Sequence, residues 1–321
     1  MIETLGHHRI LARIGVGRMG ELYRARDTRA GRTVAIRVVA EEIAGNPEER
    51  ARFLAAARAT AALSHPNIAA LYEIGEAPGV LYLVSEFVPG DTLRSLIAGR
   101  ALNPRHAIDH GIQIADALAE AHAEGLVHRD LRPGSIIITP KGIAKLVDVG
   151  LAGWTGGGLD RSRRLAGPAG EPAPIETLAC MSPEQVLGAK DDERTDIFSL
   201  GAVLYEMLTG TPPFAATTAT AVIEQVLNAQ PPAPSTVNRL LPPELDTIVL
   251  RMLAKGLDQR YEAAATVAAE LRSVAAILDV REEVSEPIPT LAAPPSRKGV
   301  VWLLALLLVL GLVAAYQFVS W

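Results

Sequence analysis

The sequence predicts an α+β chain of two lobes, a small strand-rich lobe followed by a larger helical one, with a ligand cleft between them. Three observations predict it. Short β-branched or alternating runs fill the first 88 residues, the apolar periodicity becomes helical after Gly90, and an uncharged apolar run lies at residues 300–320. At 321 residues and 49% hydrophobic the chain exceeds the length at which one core stays undivided. The lobes are expected at about 1–88 and 89–278, then a proline-rich linker at 279–299 and a transmembrane helix at 300–320.

In the first lobe "RILARIG", "ELYRARD", "TVAIRVV" and "LYLVSEF" read as strands, interrupted by an Ala- and Arg-rich helix from Pro47 to about Leu63. In the second, Ile108, Ile112, Ala115, Leu118, Ala119 and His122 form a stripe at helical spacing that stops near Gly125. Further helices are expected at Asp196–Thr209, Ala219–Ala229, Leu245–Ala254 and Ala263–Leu278. "DVREEVSEPIPTLAAPPSRK" mixes charge with four prolines and has neither period, so it reads as an extended linker.

About 20 uncharged residues at 1.5 Å each match the roughly 30 Å hydrocarbon core of a bilayer, and Trp302, Tyr316 and Trp321 suit its two interfaces. Arg297 and Lys298 precede the run and no basic residue follows it, which predicts a single-pass anchor in the inner (cytoplasmic) membrane with residues 1–298 in the cytoplasm. The N-terminus lacks the apolar core of a signal peptide. A net charge of −5 gives no field for nucleic acid. Cys180 is the sole cysteine, so no internal disulfide can form, and it reads as a small buried hydrophobe.

"IGVGRMGEL" sets Gly15, Gly17 and Gly20 in a G-x-G-x-x-G pattern shared by two phosphate-binding devices. In a dinucleotide-binding unit the last glycine opens a helix. Here "ELYRARD" follows as a strand, which favours a glycine-rich hairpin, including Val16, over nucleotide phosphates. His7 and His8 are adjacent, but no Cys or carboxylate accompanies them at ligand spacing along the chain, so they read as solvated residues at a strand end.

"GRMGELYRARD", "SHPNI", "HRDL", "MSPEQ" and "DIFSLG" occur in the order and spacing of the bacterial eukaryotic-like serine/threonine protein kinases, and the chain resembles that family over about residues 5–278. The resemblance implies ATP and Mg²⁺ as cofactors, a protein as substrate or signalling partner, and a homodimer. It implies that Leu22, Ala35 and Ile137 enclose the adenine and that Glu86 and Val88 offer backbone groups to its edge. Asp130 would be the catalytic base, Arg132 would contact the transferring phosphate, and Asp148 and Ser135 would take the metal positions. Glu184 would pair with Arg260, and Asp196 would anchor the catalytic-loop backbone. Thr155 and Ser162 would be activation-segment phosphosites, with Thr177 as the segment's structural threonine and Arg129 as a phosphate reader.

Four positions depart from that pattern. Arg37 replaces the strand lysine, Ala56 the helix glutamate that pairs with it, Ser135 an asparagine and Val149 the phenylalanine of the D-F-G motif. Only five of the 31 Lys and Arg residues are lysine, so drift from lysine to arginine accounts for Arg37 and Arg132 but not for the other three. A lost phosphate contact costs about 10²-fold in rate. Two readings stay open: a nucleotide-binding pseudokinase scaffold with at most weak phosphotransfer, and a fully active kinase that uses Arg37.

Overall fold

A computed structural model describes residues 3–17, 19–77, 79–151, 165, 173–285, 301–302 and 304–311. Its strand-rich part is a six-stranded antiparallel sheet in the order β1-β2-β3-β4-β6-β5, built from β1 (Thr4–Leu5), β2 (His8–Gly17), β3 (Gly20–Asp27), β4 (Arg32–Val39), β5 (Leu71–Ala77) and β6 (Val80–Glu86). The four strands read from sequence are present. β5 escaped notice because "LYEIGEA" alternates poorly and carries two glutamates. Two helices, α1 (Glu41–Ala44) and α2 (Pro47–Ala62), lie between β4 and β5. Asn46 caps α2 by accepting from the backbone N–H groups of Glu48 and Glu49, and Pro47 supplies a fixed φ at the first helical position. Phe53, Ala57 and Thr60 form the buried face of α2, and Phe53 and Ala57 join Ile43, Leu71, Leu81 and Leu83 in one core.

A small sheet of β7 (Asp91–Thr92), β8 (Ile136–Ile138) and β9 (Ala144–Leu146) starts the helical part. α3 (Leu93–Ile97) and α4 (Pro104–Ala123) lead into the catalytic-loop segment. After it come α5 (Ile175–Leu178), α6 (Pro183–Leu187), α7 (Glu193–Thr209), α8 (Ala219–Asn228), α9 (Pro234–Val237), α10 (Glu244–Met252) and α11 (Ala264–Ser285). α7 is buried almost all round from Thr195 to Leu208, so it is the central rod of this lobe. The periodicity placed α4, α7, α8 and α10 within a few residues, because each carries a repeating apolar face.

Charge is buried against this rod at Glu184 and Arg260. Arg260 donates from Nη1 to Glu184 Oε1 (2.7 Å) and from Nη2 to Glu184 Oε2 (2.8 Å), and Thr195 Oγ1 donates to Glu184 Oε1 (2.8 Å). The expected Glu184–Arg260 pair is therefore present, in bidentate form. Burial opposes the Glu184 charge, yet the guanidinium holds its carboxyl below the ordinary value. Cys180 is buried and its thiol is pushed upward by desolvation, in line with a packing role.

The end of the chain differs from expectation. α11 runs on to Ser285, through the first residues of the segment read as an extended linker. The chain divides into two compact units, Met1–Ala276 and Ile277–Trp321. The transmembrane helix expected at 300–320 is overturned: among the described residues no helix is long and apolar enough to cross a membrane. The membrane partner inferred from that helix falls with it. Residues 286–300, 303 and 312–321 lie outside the described residues.

Removing one partner of the buried pair strands the other charge. Arg260→Ala should lower unfolding free energy by about 3–5 kcal/mol, read as a reduced denaturant midpoint. A loss under about 1 kcal/mol would show that Glu184 finds another partner or is neutral.

Candidate active site

Strand register assembles one wall of the cleft. Leu22 lies opposite Arg37 across β3 and β4, while Ala35 and Arg37 lie opposite Ser85 and Leu83 across β4 and β6. Directly opposed residues share a face and alternate residues repeat it, so Leu22, Ala35, Arg37, Leu83 and Ser85 all project from the same side of the sheet. A small recess opens there, lined by Arg37, Thr60, Ala69, Leu71, Leu83, Ser85, Val147, Asp148 and Leu151.

The glycine motif is a hairpin. Gly15 pairs with Leu22, Val16 with Glu21 and Gly17 with Gly20, so a strand follows the last glycine and a dinucleotide-type helix does not. Gly20 has φ 112°, and a Cβ there would stand 1.9 Å from the Val38 carbonyl oxygen, which no side chain tolerates. Val16 is exposed on the hairpin.

The catalytic-loop segment is fixed from below by Asp196. Its Oδ2 accepts from His122 Nε2 (2.9 Å) and the His128 backbone N–H (2.7 Å), and its Oδ1 from the Arg129 N–H (2.8 Å). Arg129 takes φ 65°, a left-handed conformation that these bonds and the Gln185 amide on its carbonyl (2.8 Å) hold in place. Asp196 is fully buried; desolvation raises its carboxyl, but His122 and the backbone donors outweigh that and hold it below the ordinary value. The Arg129 side chain donates to Asp191 Oδ1 (3.2 Å).

Asp130 follows, with Arg132 Nε 3.4 Å from its carboxylate. Ser135 Oγ accepts from the Arg132 N–H (3.0 Å) and lies within donating distance of the carbonyls of Arg132 (2.9 Å) and Asp130 (3.1 Å). Its hydroxyl proton is therefore used inside the loop. Ser135 O accepts from Val147 N (3.1 Å) and Ile136 pairs with Leu146, which sets the Asp130 loop alongside the segment that carries Asp148. Ile137, half-buried on β8, pairs with Thr92 of β7 and Lys145 of β9.

Arg37 reaches Asp148: Nη2 stands 2.5 Å from Oδ2, with the side chains 11% and 29% exposed. No carboxylate comes from α2, where Ala56 lies one turn before Thr60. Thr60 instead spans the gap, its Oγ1 2.8 Å from the Val149 carbonyl and 3.0 Å from that of Ala56. Val149 is buried, and Leu151, two residues on, packs into the core with Phe53 and Ala57. Among the described residues, the Thr60 hydrogen bond and the packing of Leu151 against Phe53 and Ala57 join α2 to this segment.

Sequence reasoning missed Lys145, Thr60 and Ser85. Lys145 Nζ donates to Glu86 Oε2 (2.9 Å), which also accepts from Ala70 N (3.3 Å), so the Glu86 side chain joins β6 to β9, while the Glu86 backbone N–H donates to the Ala70 carbonyl (2.8 Å). Val88 is buried at the end of this connection. No pattern announces such pairs, since they join residues 59 and 89 positions apart. Thr177 lies in α5; Thr155 and Ser162 lie outside the described residues. His8 is 1% exposed, so the expectation of a solvated histidine fails there. A carboxylate does accompany the pair, since the β2–β3 register sets Asp27 opposite His8.

The protein kinase domain family model matches residues 8–271. The chain belongs to the protein kinase family. It is 40% identical over 256 residues to a probable serine/threonine-protein kinase of Streptomyces coelicolor, covering 78% of this chain and 37% of that protein. It is 39% identical over 266 residues to the serine/threonine-protein kinase PknB of Mycolicibacterium smegmatis, covering 80% of this chain and 41% of that one. With PknA of Mycobacterium tuberculosis it is 36% identical over 311 residues, 92% of this chain and 66% of the relative. The chain thus spans about two fifths of the length of the first two relatives. The fold is also that of the Mycobacterium tuberculosis PknI kinase domain, at a TM-score of 0.65 and 24% identity over 84% of this chain and 97% of that one.

Two outcomes test this geometry. Thr60→Val removes the donor and leaves the buried Val149 carbonyl without it, and should cost about 1–3 kcal/mol in denaturant unfolding. Asp196 titrates lower in the folded chain than its ordinary 3.8, so the unfolded state binds more protons on acidification. Its contribution is complete above about pH 5 and is lost as pH falls through the folded value. Stability followed from pH 6 to pH 2 should fall less steeply in Asp196→Asn than in the wild type, from a lower starting point.

Proposed function

We propose that this chain binds ATP with a divalent metal in the cleft, transfers phosphate to protein serine or threonine weakly at most, and serves chiefly as a signalling scaffold. The observation that carries the reading is the Arg37–Asp148 ion pair beside a helix that offers no acid. A compact lysine held by a glutamate presents a charge to phosphate. Here a planar guanidinium lies against the carboxylate that would hold the metal, so binding a metal nucleotide requires this pair to open.

The cleft residues are of the kind a metal nucleotide needs: an accessible carboxylate at Asp148, a cation at Arg37, a glycine hairpin, and apolar Leu22, Ala35 and Ile137 for the base. Bound Mg²⁺ would supply charge neutralisation between phosphate oxygens. Asp130 would accept the hydroxyl proton of the substrate and Arg132 would lie near the transferring group. Ser135 offers the metal little, since its hydroxyl is used by the loop. The names of the relatives support a protein hydroxyl as acceptor. The second reading, a fully active kinase, is favoured by Asp130 with its intact backbone anchor on Asp196.

Thermal shift with ATP should show a rise that depends on magnesium. Phosphotransfer to a basic protein should be low, be abolished in Asp130→Asn, and increase by orders of magnitude when Arg37→Lys, Ala56→Glu and Ser135→Asn are combined, with little change for Arg37→Lys alone. Wild-type turnover on the order of 1 s⁻¹ would select the active reading. No shift at millimolar ATP would sink both.

A further inference from the structure

Outside the recess, the β1–β2 hairpin, the end of β3 and the strand β5 bring together two imidazoles and two carboxylates. Leu5 pairs with His8, so Gly6 and His7 form the turn. Gly6 has φ 57°, and a Cβ on it would come within 2.8 Å of the Tyr82 hydroxyl, so only glycine lets the turn lie this close to that ring. Thr28 fixes the other side, its Oγ1 donating to the His7 carbonyl at 2.6 Å. His8 lies directly across from Asp27. The ligand atoms of His7, His8 and Asp27 all lie within 4.8 Å of one another, with His7 Nε2 3.4 Å from Asp27 Oδ1 and 4.0 Å from Glu73 Oε2.

His8 carries the second observation. Its side chain is buried, Nδ1 lies 3.1 Å from the Leu5 carbonyl, and among the described residues Nε2 has no hydrogen-bond partner. A carbonyl can only accept, so Nδ1 carries the proton and Nε2 presents a bare lone pair. That is the state of a metal-ligating imidazole, whose other nitrogen typically donates to a carbonyl or carboxylate. A buried ring nitrogen left unpaired otherwise costs stability.

We propose that His7, His8 and Asp27, closed by Glu73, form a binding site for Zn²⁺ or a similar first-row divalent cation. Two imidazole nitrogens and carboxylate oxygens are the donor set of such ions, and Mg²⁺, which demands six oxygens, does not suit it. Tetrahedral ligands 2.0–2.2 Å from a metal stand about 3.4 Å apart, the His7–Asp27 separation. The wider separations close by rotation of His7 and Glu73, which are partly exposed. Asp27 Oδ1 also accepts the backbone N–H groups of Arg29 and Ala30, both at 2.9 Å, which keeps the carboxylate ionised and oriented. Arg32 Nε, 3.8 Å from Oδ2, is an exposed competitor that can swing away. Tyr82 orients Glu73 through Oε1 (3.4 Å) and leaves Oε2 toward His7. The bound ion would clip the first hairpin to β3 and β5.

The full chain, stripped with chelator, should bind one Zn²⁺ in competition with a chromophoric chelator, unaffected by millimolar Mg²⁺. It should gain thermal stability on binding and give the intense visible bands of four-coordinate Co²⁺ when cobalt replaces zinc. His7→Ala alters a turn side chain only, and should fold as the wild type does, weaken Zn²⁺ at least about 100-fold and erase the cobalt bands. Glu73→Gln should weaken binding less. Failure of the wild type to bind Zn²⁺ below about 100 µM, or equal binding by His7→Ala, would overturn the proposal.

Discussion

Asp196 brings a full negative charge into the protein interior, and a buried charge persists only where donors meet it. Its donors come from the last turn of α4 and from two consecutive backbone N–H groups of the catalytic-loop segment, and its own place is the first turn of α7, where the helix dipole favours an anion. One carboxylate thus ties the central helix to the loop that carries Asp130. The left-handed Arg129 is a result of that arrangement. The Glu184–Arg260 pair performs the same service for the segment leading into α7, through Thr195.

Above this anchored base the cleft is held together differently from what the family pattern implies. Arg37 and Ala56 are complementary: the longer cation goes to Asp148, and the helix that offers no acid is attached through the Thr60 hydroxyl to the Val149 carbonyl. Leu151 fills apolar space between α2 and β5. The Arg37–Asp148 contact is the physical basis of the proposal that nucleotide binding outlasts efficient transfer.

The metal-type cluster shows how far tertiary register exceeds local pattern. His7 and His8 look isolated because their carboxylates are 19 and more positions away in the chain. Strand pairing closes that distance, and burial of His8 removes the water that would otherwise serve its free nitrogen.

Long apolar faces and turn chemistry are local properties, and they determined much of this protein from sequence alone: the strand-then-helix order, the Asn-Pro start of α2, the stripe of α4, and the glycine hairpin whose following strand excluded a dinucleotide fold. Family motifs in register added Asp130, Asp148, Asp196 and the Glu184–Arg260 pair. The tertiary structure decided what depends on groups far apart in sequence. It decided where the Arg37 guanidinium goes, that Ser135 uses its hydroxyl on its own loop, that Lys145 holds Glu86, and that Asp27 joins the histidines. It also overturned the membrane helix, since among the described residues no helix is long and apolar enough to cross a membrane. Hydrogen bonds and ion pairs are formed by proximity, and for these residues proximity is created only when the sheet and helices pack.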